Sequence, residues 1–548
     1  MALHMHEKSE NEKLVMLLLA QEIFSENTLM KMVSEALRRS QTLFQYCIQR
    51  GECDPKKWLE ICLNQQALSI EEESASTCSQ KIIEAMPVSL FKTKFLLPIS
   101  VSEDTLNIAI CNPIDLILKK TLSQKINKSI VFMWKRYDHL INAHNHLINS
   151  IEYTLWKEKE TAQAQEIIQH IISDGIQRRA SDIHIEPYEK SLRIRFRIDG
   201  ILHEIIRLEK KYTENIINCV KVMTKLDITI TRVPQDGRFT AKSFLGFVKD
   251  CRISSYPTQH GEKIVIRLLE ESTKKINIDA LGLSHHNKKI MLDSIKKPQG
   301  LIILTGPTGS GKTITLYSLL NLLNRPEKNI VSLEDPIEVQ IEGINQTPIV
   351  TQNGVTFSTM LRALLRQDPD VVMIGEIRDS ETAEIAVRAA QTGHLVLSTL
   401  HTNTALEAIS RLQLMGVAPY HLSLSLSLVV AQRLVRRLCH YCAIPYLPSQ
   451  SVLQKFVFKK NDRVDKSIKQ ASKGCAHCAE GYQGRVGVFE LIVINEAIKR
   501  LLFHENNFEQ LFKYYQKNKH QTLWQAALIK VKQGVTSLDE VYRVVPEV

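Results

Sequence analysis

Glycine is nearly missing from the first third of this 548-residue chain: Gly51 is the only one before Gly175. That leaves the segment without the glycine turns that let a backbone hug a phosphate. Its apolar residues instead recur at helical spacing through residues 14–20, 29–37 and 58–63. Long hydrophobic runs are missing as well. No stretch approaches the ~18 apolar residues that span a bilayer, so no transmembrane segment is expected. The opening MALHMHEKSENEK lacks the apolar core of a signal peptide, which predicts a cytosolic chain. Cys47, Cys53, Cys62, Cys78, Cys111, Cys219 and Cys251 show no pairing spacing, as suits a reducing compartment. The net charge is +11, yet no arginine-rich block or aromatic-interleaved basic patch stands out. A solvated basic surface is expected, and no nucleic-acid partner.

The length predicts two to four domains. Residues 1–150 read as a mainly helical module with a small α/β piece, whose strands alternate through 95–111 before Asn112-Pro113. A polar linker is expected near 156–165. An α+β domain over 160–270 opens with a helix at 164–178, followed by strand-like runs at 182–186 and 192–198. From Gln299 onward, short apolar runs at 301–304, 329–333, 371–374 and 395–398 alternate with helical stretches. That pattern predicts a parallel sheet covered on both faces, within a domain over 276–548.

Gly306-Pro307-Thr308-Gly309-Ser310-Gly311-Lys312-Thr313 sits between one such strand and an apolar helix at 314–323. This is the context a phosphate loop requires. Backbone N–H groups and the helix start would face a polyphosphate. Lys312 would meet the β/γ oxygens and Thr313 would give Mg²⁺ a hydroxyl ligand. Further candidates lie at strand ends, where open α/β sheets place their ligands. Leu333-Glu334-Asp335-Pro336-Ile337-Glu338 puts three carboxylates in six residues; alone it would pass as a solvated acidic loop. Asp370 to Glu376 is an apolar strand ending in an acid, the shape of a metal-holding Walker B strand. Gly375 stands where the usual aspartate would be. His394 and His401 flank the fourth strand, as candidate γ-phosphate sensors.

The order GPTGSGKT, LEDPIE, DPDVVMIGEIRD, TGHLVLSTLHTN resembles the secretion-superfamily ATPases, which comprise type IV pilus motors and type II secretion ATPases. The Gly-Glu ending of the third segment is that family's own variant. The likeness extends to ASDIHIEP at 180–187, RVPQDGR at 232–238, HGEK at 260–263 and AQRL at 431–434. It runs from about residue 160 to the C-terminus and is weak before residue 150. It implies a multidomain α/β fold: a RecA-like ATPase domain preceded by a PAS-like α+β domain and a helical N-terminal domain. It implies roles too. Glu338 would orient the attacking water, Glu376 would hold the metal's water shell, and His394 and His401 would contact the nucleotide or couple it to the neighbouring subunit. Arg238 and Arg252, with Arg267 a weaker candidate, would swing over the nucleotide as the preceding domain closes. Arg238→Ala is therefore expected to cost at least roughly tenfold in kcat with nucleotide binding intact; unchanged steady-state turnover would remove it.

Cys439-His440-Tyr441-Cys442 and Cys475-Ala476-His477-Cys478 are two CxxC units 32 residues apart. Paired units of this kind predict a closed, structural Zn²⁺ site in a subdomain at about 436–486, with both histidines as bystanders. The resemblance supports this, because extension and secretion members carry such a site. It further implies a homohexamer peripheral to the bacterial inner membrane, acting on a polytopic platform protein and cytoplasmic pilus or secretion components. The expected function is pilus assembly, with type II secretion as the alternative and nucleic-acid translocation as a remoter one. Some relatives bind a cyclic dinucleotide through a motif beginning Arg-Leu-Gly. Here that stretch reads Lys13-Leu14-Val15, so the ligand is not expected.

Overall fold

The computed structural model describes residues 164–242, 248–269, 277–349, 356–449, 468–475, 478–503, 508–518 and 520–546. Shorter described stretches lie at 25–38, 96–102, 104–110, 122–124, 128–134 and at 126 and 140. The helices expected at 14–20 and 58–63, and the Lys13-Leu14-Val15 stretch, fall outside them. The chain forms two compact units, Met1–Glu270 and, apart from residues 475–477, the remainder.

In the first unit, helix α1 (Glu26–Arg38) precedes three short strands. Strand β1 (Leu97–Val101) pairs antiparallel with β2 (Thr105–Ile110), which runs parallel to β3 (Ser129–Trp134). Then come α2 (Ala164–Gln177), β4 (Asp182–Pro187), β5 (Ser191–Ile198), β6 (Ile201–Glu209), α3 (Thr213–Met223), β7 (Gln235–Lys242), β8 (Val248–Thr258) and β9 (Gly261–Leu268). The six strands form one antiparallel sheet in the order β6-β5-β4-β9-β8-β7. Strict alternation decides its two faces. Leu192, Ile194 and Phe196 of β5 are buried in the core with Ile168 and Ile171 of α2 and Ile216 and Val220 of α3. The intervening Arg193, Arg195 and Arg197 point the other way, towards Asp182 and Glu186.

Glu186 is the hub of that polar face. It is 5% exposed and sits 2.7 Å from Arg195, 2.9 Å from Lys263 and 3.0 Å from Arg193. Burial alone would push its carboxyl up, but hydrogen bonds from Arg195 and Lys263 outweigh it and hold the pKa at about 2. A depressed carboxylate contributes stability that is complete above its unfolded value and lost as pH falls through the folded one. Wild-type stability is therefore expected to decline by roughly 1–3 kcal/mol between pH 4.5 and pH 2 through this group. Urea titrations across that window should show a shallower decline for Glu186→Gln; equal slopes would remove Glu186 as the cause.

The second unit is built on a seven-stranded sheet. Its elements are α4 (His285–Ile295), β10 (Gly300–Thr305), α5 (Lys312–Leu323), β11 (Ile330–Glu334), β12 (Asn345–Pro348), α6 (Phe357–Leu364), β13 (Val371–Ile374), α7 (Ser380–Gln391), β14 (Leu395–Leu400), α8 (Ala405–Leu414), α9 (Pro419–Ser425) and β15 (Leu426–Leu438). A two-residue ladder of β16 (Ile444–Pro445) and β17 (Lys469–Gln470) follows, then β18 (Tyr482–Val493), α10 (Glu496–Phe503), α11 (Phe508–Lys517), α12 (Leu523–Lys532) and α13 (Leu538–Val544). The strand order is β12-β11-β13-β14-β10-β15-β18. All neighbours are parallel except β18 beside β15. Strands β10, β11, β13 and β14 are buried at every position, as helices on both faces require. Leu301, Ile303, Leu333 and Val396 enter one core with α6 to α8 and the C-terminal helices. Ile302, Leu304, Met373 and Leu397 enter a second core with α4 and α5.

One buried acid ties the layers. Glu490 of β18 is 3% exposed and accepts the N–H of Ala405 at 3.1 Å and of Leu523 at 3.0 Å. These are the first residues of α8 and α12, so a single carboxylate sits at two helix N-termini, where negative charge is favoured.

Candidate active site

The phosphate loop joins the carboxyl end of β10 to α5. Gly306, at φ 151°, admits no side chain, since a Cβ there would lie 2.5 Å from the Gln432 carbonyl and 2.7 Å from Ser310 Oγ. Lys312 is 8% exposed and donates to the carbonyls of Gly306 at 2.7 Å and Pro307 at 3.2 Å. Burial pulls its pKa down to about 8, with Glu376 opposing and Arg433 assisting. The buried Ser310 hydroxyl has no hydrogen-bond partner. A polyphosphate would satisfy that hydroxyl and compete for Lys312, so the cradle fits the nucleotide its sequence predicts.

Around the loop, the sheet gathers several of the expected side chains. Glu376 follows β13; its Oε2 lies 3.0 Å from His401 Nε2, and its Oε1 accepts from Arg378. Arg378 also reaches Asp335 at 3.5 Å, joining the two acidic segments. Gly375 has a packing reason: a Cβ there would lie 3.2 Å from the Leu333 carbonyl of the neighbouring strand. The fourth-strand loop is pinned to the phosphate-loop strand. Thr305 Oγ1 accepts the Thr402 N–H at 2.8 Å, and the buried Arg433 donates to Asn403 O at 3.0 Å and Oδ1 at 3.1 Å. Beneath α5, the Thr315 hydroxyl donates to Gln432 at 2.8 Å. The loop after β11 carries Glu338, which is exposed, at the same carboxyl edge of the sheet.

His394 is not part of this gathering. Strand β14 separates it from His401 by six residues, or about 20 Å, and the phosphate loop lies at the His401 end, where Thr305 pairs with Leu400. The His394 carbonyl accepts the Gly300 N–H at the opposite end of the strand. Its ring lines a cavity of about 390 Å³ with Arg362, Glu381, Glu384, Arg388 and Thr392. Of the two histidines expected to contact the nucleotide or couple it to a neighbouring subunit, His401 stands at the phosphate-loop end of β14 and His394 at the other. Arg238 and Arg252 are cross-strand partners on β7 and β8 of the first unit. Arg267 is ion-paired with Asp182 at 2.9 Å. Sequence reading did not single out Arg378, Arg433, Tyr317 or Thr305. Arg433 stood inside the quoted AQRL segment and Arg378 two residues past Glu376, which were the available signals.

The four cysteines converge. Cys439 follows the end of β15 and Cys478 precedes β18, and the Sγ atoms of Cys439, Cys442, Cys475 and Cys478 all lie within 4.8 Å of one another. Cys442 and Cys478 are 3.6 Å apart. A tetrahedral ion with Zn–S near 2.3 Å needs sulfur separations of about 3.8 Å, so this donor set fits zinc.

A glycine loop with a buried lysine, set beside a carboxylate–histidine pair on a doubly covered, mostly parallel sheet, defines a P-loop ATPase. Residues 157–543 match the family described as Type II/IV secretion system protein, and the chain belongs to that family. The Type IV pilus assembly ATPase PilB of Acinetobacter baylyi is 44% identical over 392 residues, covering 71% of this chain and 68% of that protein. The Type II secretion system ATPase E of Vibrio cholerae is 45% identical over 394 residues, covering 72% and 77% respectively. Among solved structures, the Legionella pneumophila ATPase DotB aligns with a TM-score of 0.52 over 70% of this chain and 96% of its own, at 20% identity. That is a likeness of fold. Among the described residues, no helix is long and apolar enough to cross a membrane.

Proposed function

We propose that this chain is the hexameric ATPase motor that powers type IV pilus assembly from the cytoplasmic face of the inner membrane. The observation that carries the motor reading is the joining of the Walker-type and acidic-loop segments at one edge of the sheet, through Glu376, His401, Arg378 and Asp335. Thr313 and Glu376 would hold Mg²⁺ and its water shell, and the ion would neutralise phosphate charge. Lys312 would turn from the Gly306 and Pro307 carbonyls to the β/γ oxygens. Glu338 would orient a water whose oxygen attacks the γ-phosphorus as the bond to the β–γ bridging oxygen breaks. Arg238 and Arg252, on a domain we read as PAS-like, would stabilise the charge developing there when that domain closes over a neighbour's pocket. His394 would serve coupling between subunits. The cysteine cluster would hold structural Zn²⁺, and a polytopic platform protein would take up the motion.

Pilus assembly is preferred over type II secretion because Gly200-Ile201-Leu202-His203-Glu204, Lys297-Pro298-Gln299-Gly300 and Leu333-Glu334-Asp335-Pro336 look closer to the extension branch. The 45% identical secretion ATPase keeps the second reading in play. A gene deletion complemented with wild type or Glu338→Gln, scored for surface pili and for secreted enzymes together, separates them. Lost pili with normal secretion is the expected result. Enzymes trapped in the periplasm with pili intact would make this the secretion motor.

A further inference from the structure

The helix that begins at the phosphate loop and the acidic loop after β11 share one buried hydroxyl. Tyr317 of α5 is fully buried. Its O–H donates to Glu334 Oε2, and its oxygen accepts the backbone N–H of Glu338 at 3.4 Å. Glu334 ends β11 at 3% exposure. Its other oxygen accepts the Ser332 hydroxyl at 2.6 Å and the Gln346 amide at 3.0 Å. The Gln346 amide also donates to the Val339 carbonyl at 3.0 Å, while its carbonyl oxygen accepts the Ile341 N–H at 2.8 Å. Three backbone points of an exposed loop, at 338, 339 and 341, thus hang from a buried Tyr–Glu–Gln cluster.

A buried carboxylate is costly unless its oxygens are satisfied, and here three uncharged donors do so. That expense has a positional result. Glu338 itself stands in solvent, and a loop carboxylate free to wander by an ångström loses much of its effect on a reacting water. We propose that Tyr317 is a positioning residue for ATP hydrolysis. Through Glu334 and Gln346, it fixes where the Glu338 carboxylate stands relative to the phosphate loop on whose helix Tyr317 rides. The proposal rests on the role given to Glu338 above. Tyr317→Phe keeps the ring in its core while removing both hydroxyl contacts, so packing and positioning separate.

The test is steady-state ATP hydrolysis by the full chain in four forms: wild type, Tyr317→Phe, Glu338→Gln and the double variant. Tyr317→Phe is expected to lower kcat roughly tenfold with KM for ATP within about twofold, and to cost less than about twofold more in the Glu338→Gln background. Residues acting through one another are non-additive in this way. An unchanged kcat for Tyr317→Phe overturns the proposal. An equal loss in both backgrounds also overturns it, since Tyr317 would then act by another route. If Glu338→Gln turns over like wild type, the role of Glu338 itself fails, which the other two results leave standing. Should Tyr317→Phe not fold, Gln346→Met removes the lateral clasp from a partly buried side chain and carries the same expectations.

Discussion

Replacing Glu338 with glutamine is expected to lower kcat at least ~100-fold while ATP still binds, the ordinary cost of losing a positioned base or water-orienting carboxylate. The geometry makes the separation clean. Glu338 stands on the loop after β11, whereas the phosphate cradle is made by residues 306–313, Gln432 and Arg433. The substitution therefore leaves Lys312 and the loop backbone untouched. Glutamine keeps the side chain's length and loses its charge, so disrupted packing cannot account for a lost rate. Nucleotide affinity by fluorescence and phosphate release in steady state would be measured on the same preparation. Turnover within threefold of wild type would exclude Glu338 and leave Glu376 as the acid to examine. Weakened binding together with turnover would mean that the loop contributes to the cradle.

The largest effect on stability is expected from Cys475→Ser combined with Cys478→Ser. Four thiolates that hold zinc in a small module contribute about 10–16 kcal/mol of apparent binding free energy, which is folding free energy for that module. Serine keeps the shape of cysteine but not its affinity for zinc. The double variant is expected to purify free of zinc and to aggregate. The damage should reach beyond the knuckles, because Cys439 directly follows the strand that carries Gln432 and Arg433 beneath the phosphate loop. Elemental analysis decides the matter: one zinc per chain retained in the double variant would refute the assignment.

What the sequence made legible was what is local along the chain. The phosphate loop, each single CxxC unit and the four short strands 301–304, 329–333, 371–374 and 395–398 are contiguous stretches, and the strands appear within one or two residues of the expected bounds. Strand β15 was not foreseen. Its run LSLVVAQRLVRRL is buried for its first eight residues, with glutamine and arginine placed by the nucleotide site, so neither a period of two nor one of 3.6 emerges. Strand β12, of sequence NQTP, offers no apolar signal at all. The two histidines show the limit most plainly. His394 and His401 bracket one strand in sequence, and only the direction of that strand in the sheet shows which of them stands at the phosphate-loop edge. Tyr317 reads as an ordinary core residue of an apolar helix; its hydroxyl acquires a partner 17 residues away only once β11 lies beside α5.

Glu490 bears on how this chain can be cut. With Ala405 on one side and Leu523 on the other, it makes the last helices part of the shell around the sheet rather than a detachable tail. Removing α12 and α13 would take Leu523, Trp524, Leu528, Val531 and Val541 out of the larger core and bare the apolar side chains they cover. It would also leave Glu490 with half its backbone donors, directly below the helix that follows His401. A shortened ATPase domain designed to end at β18 would thus lose its grip on the nucleotide edge from behind, and the natural place to divide the protein is the break near residue 270.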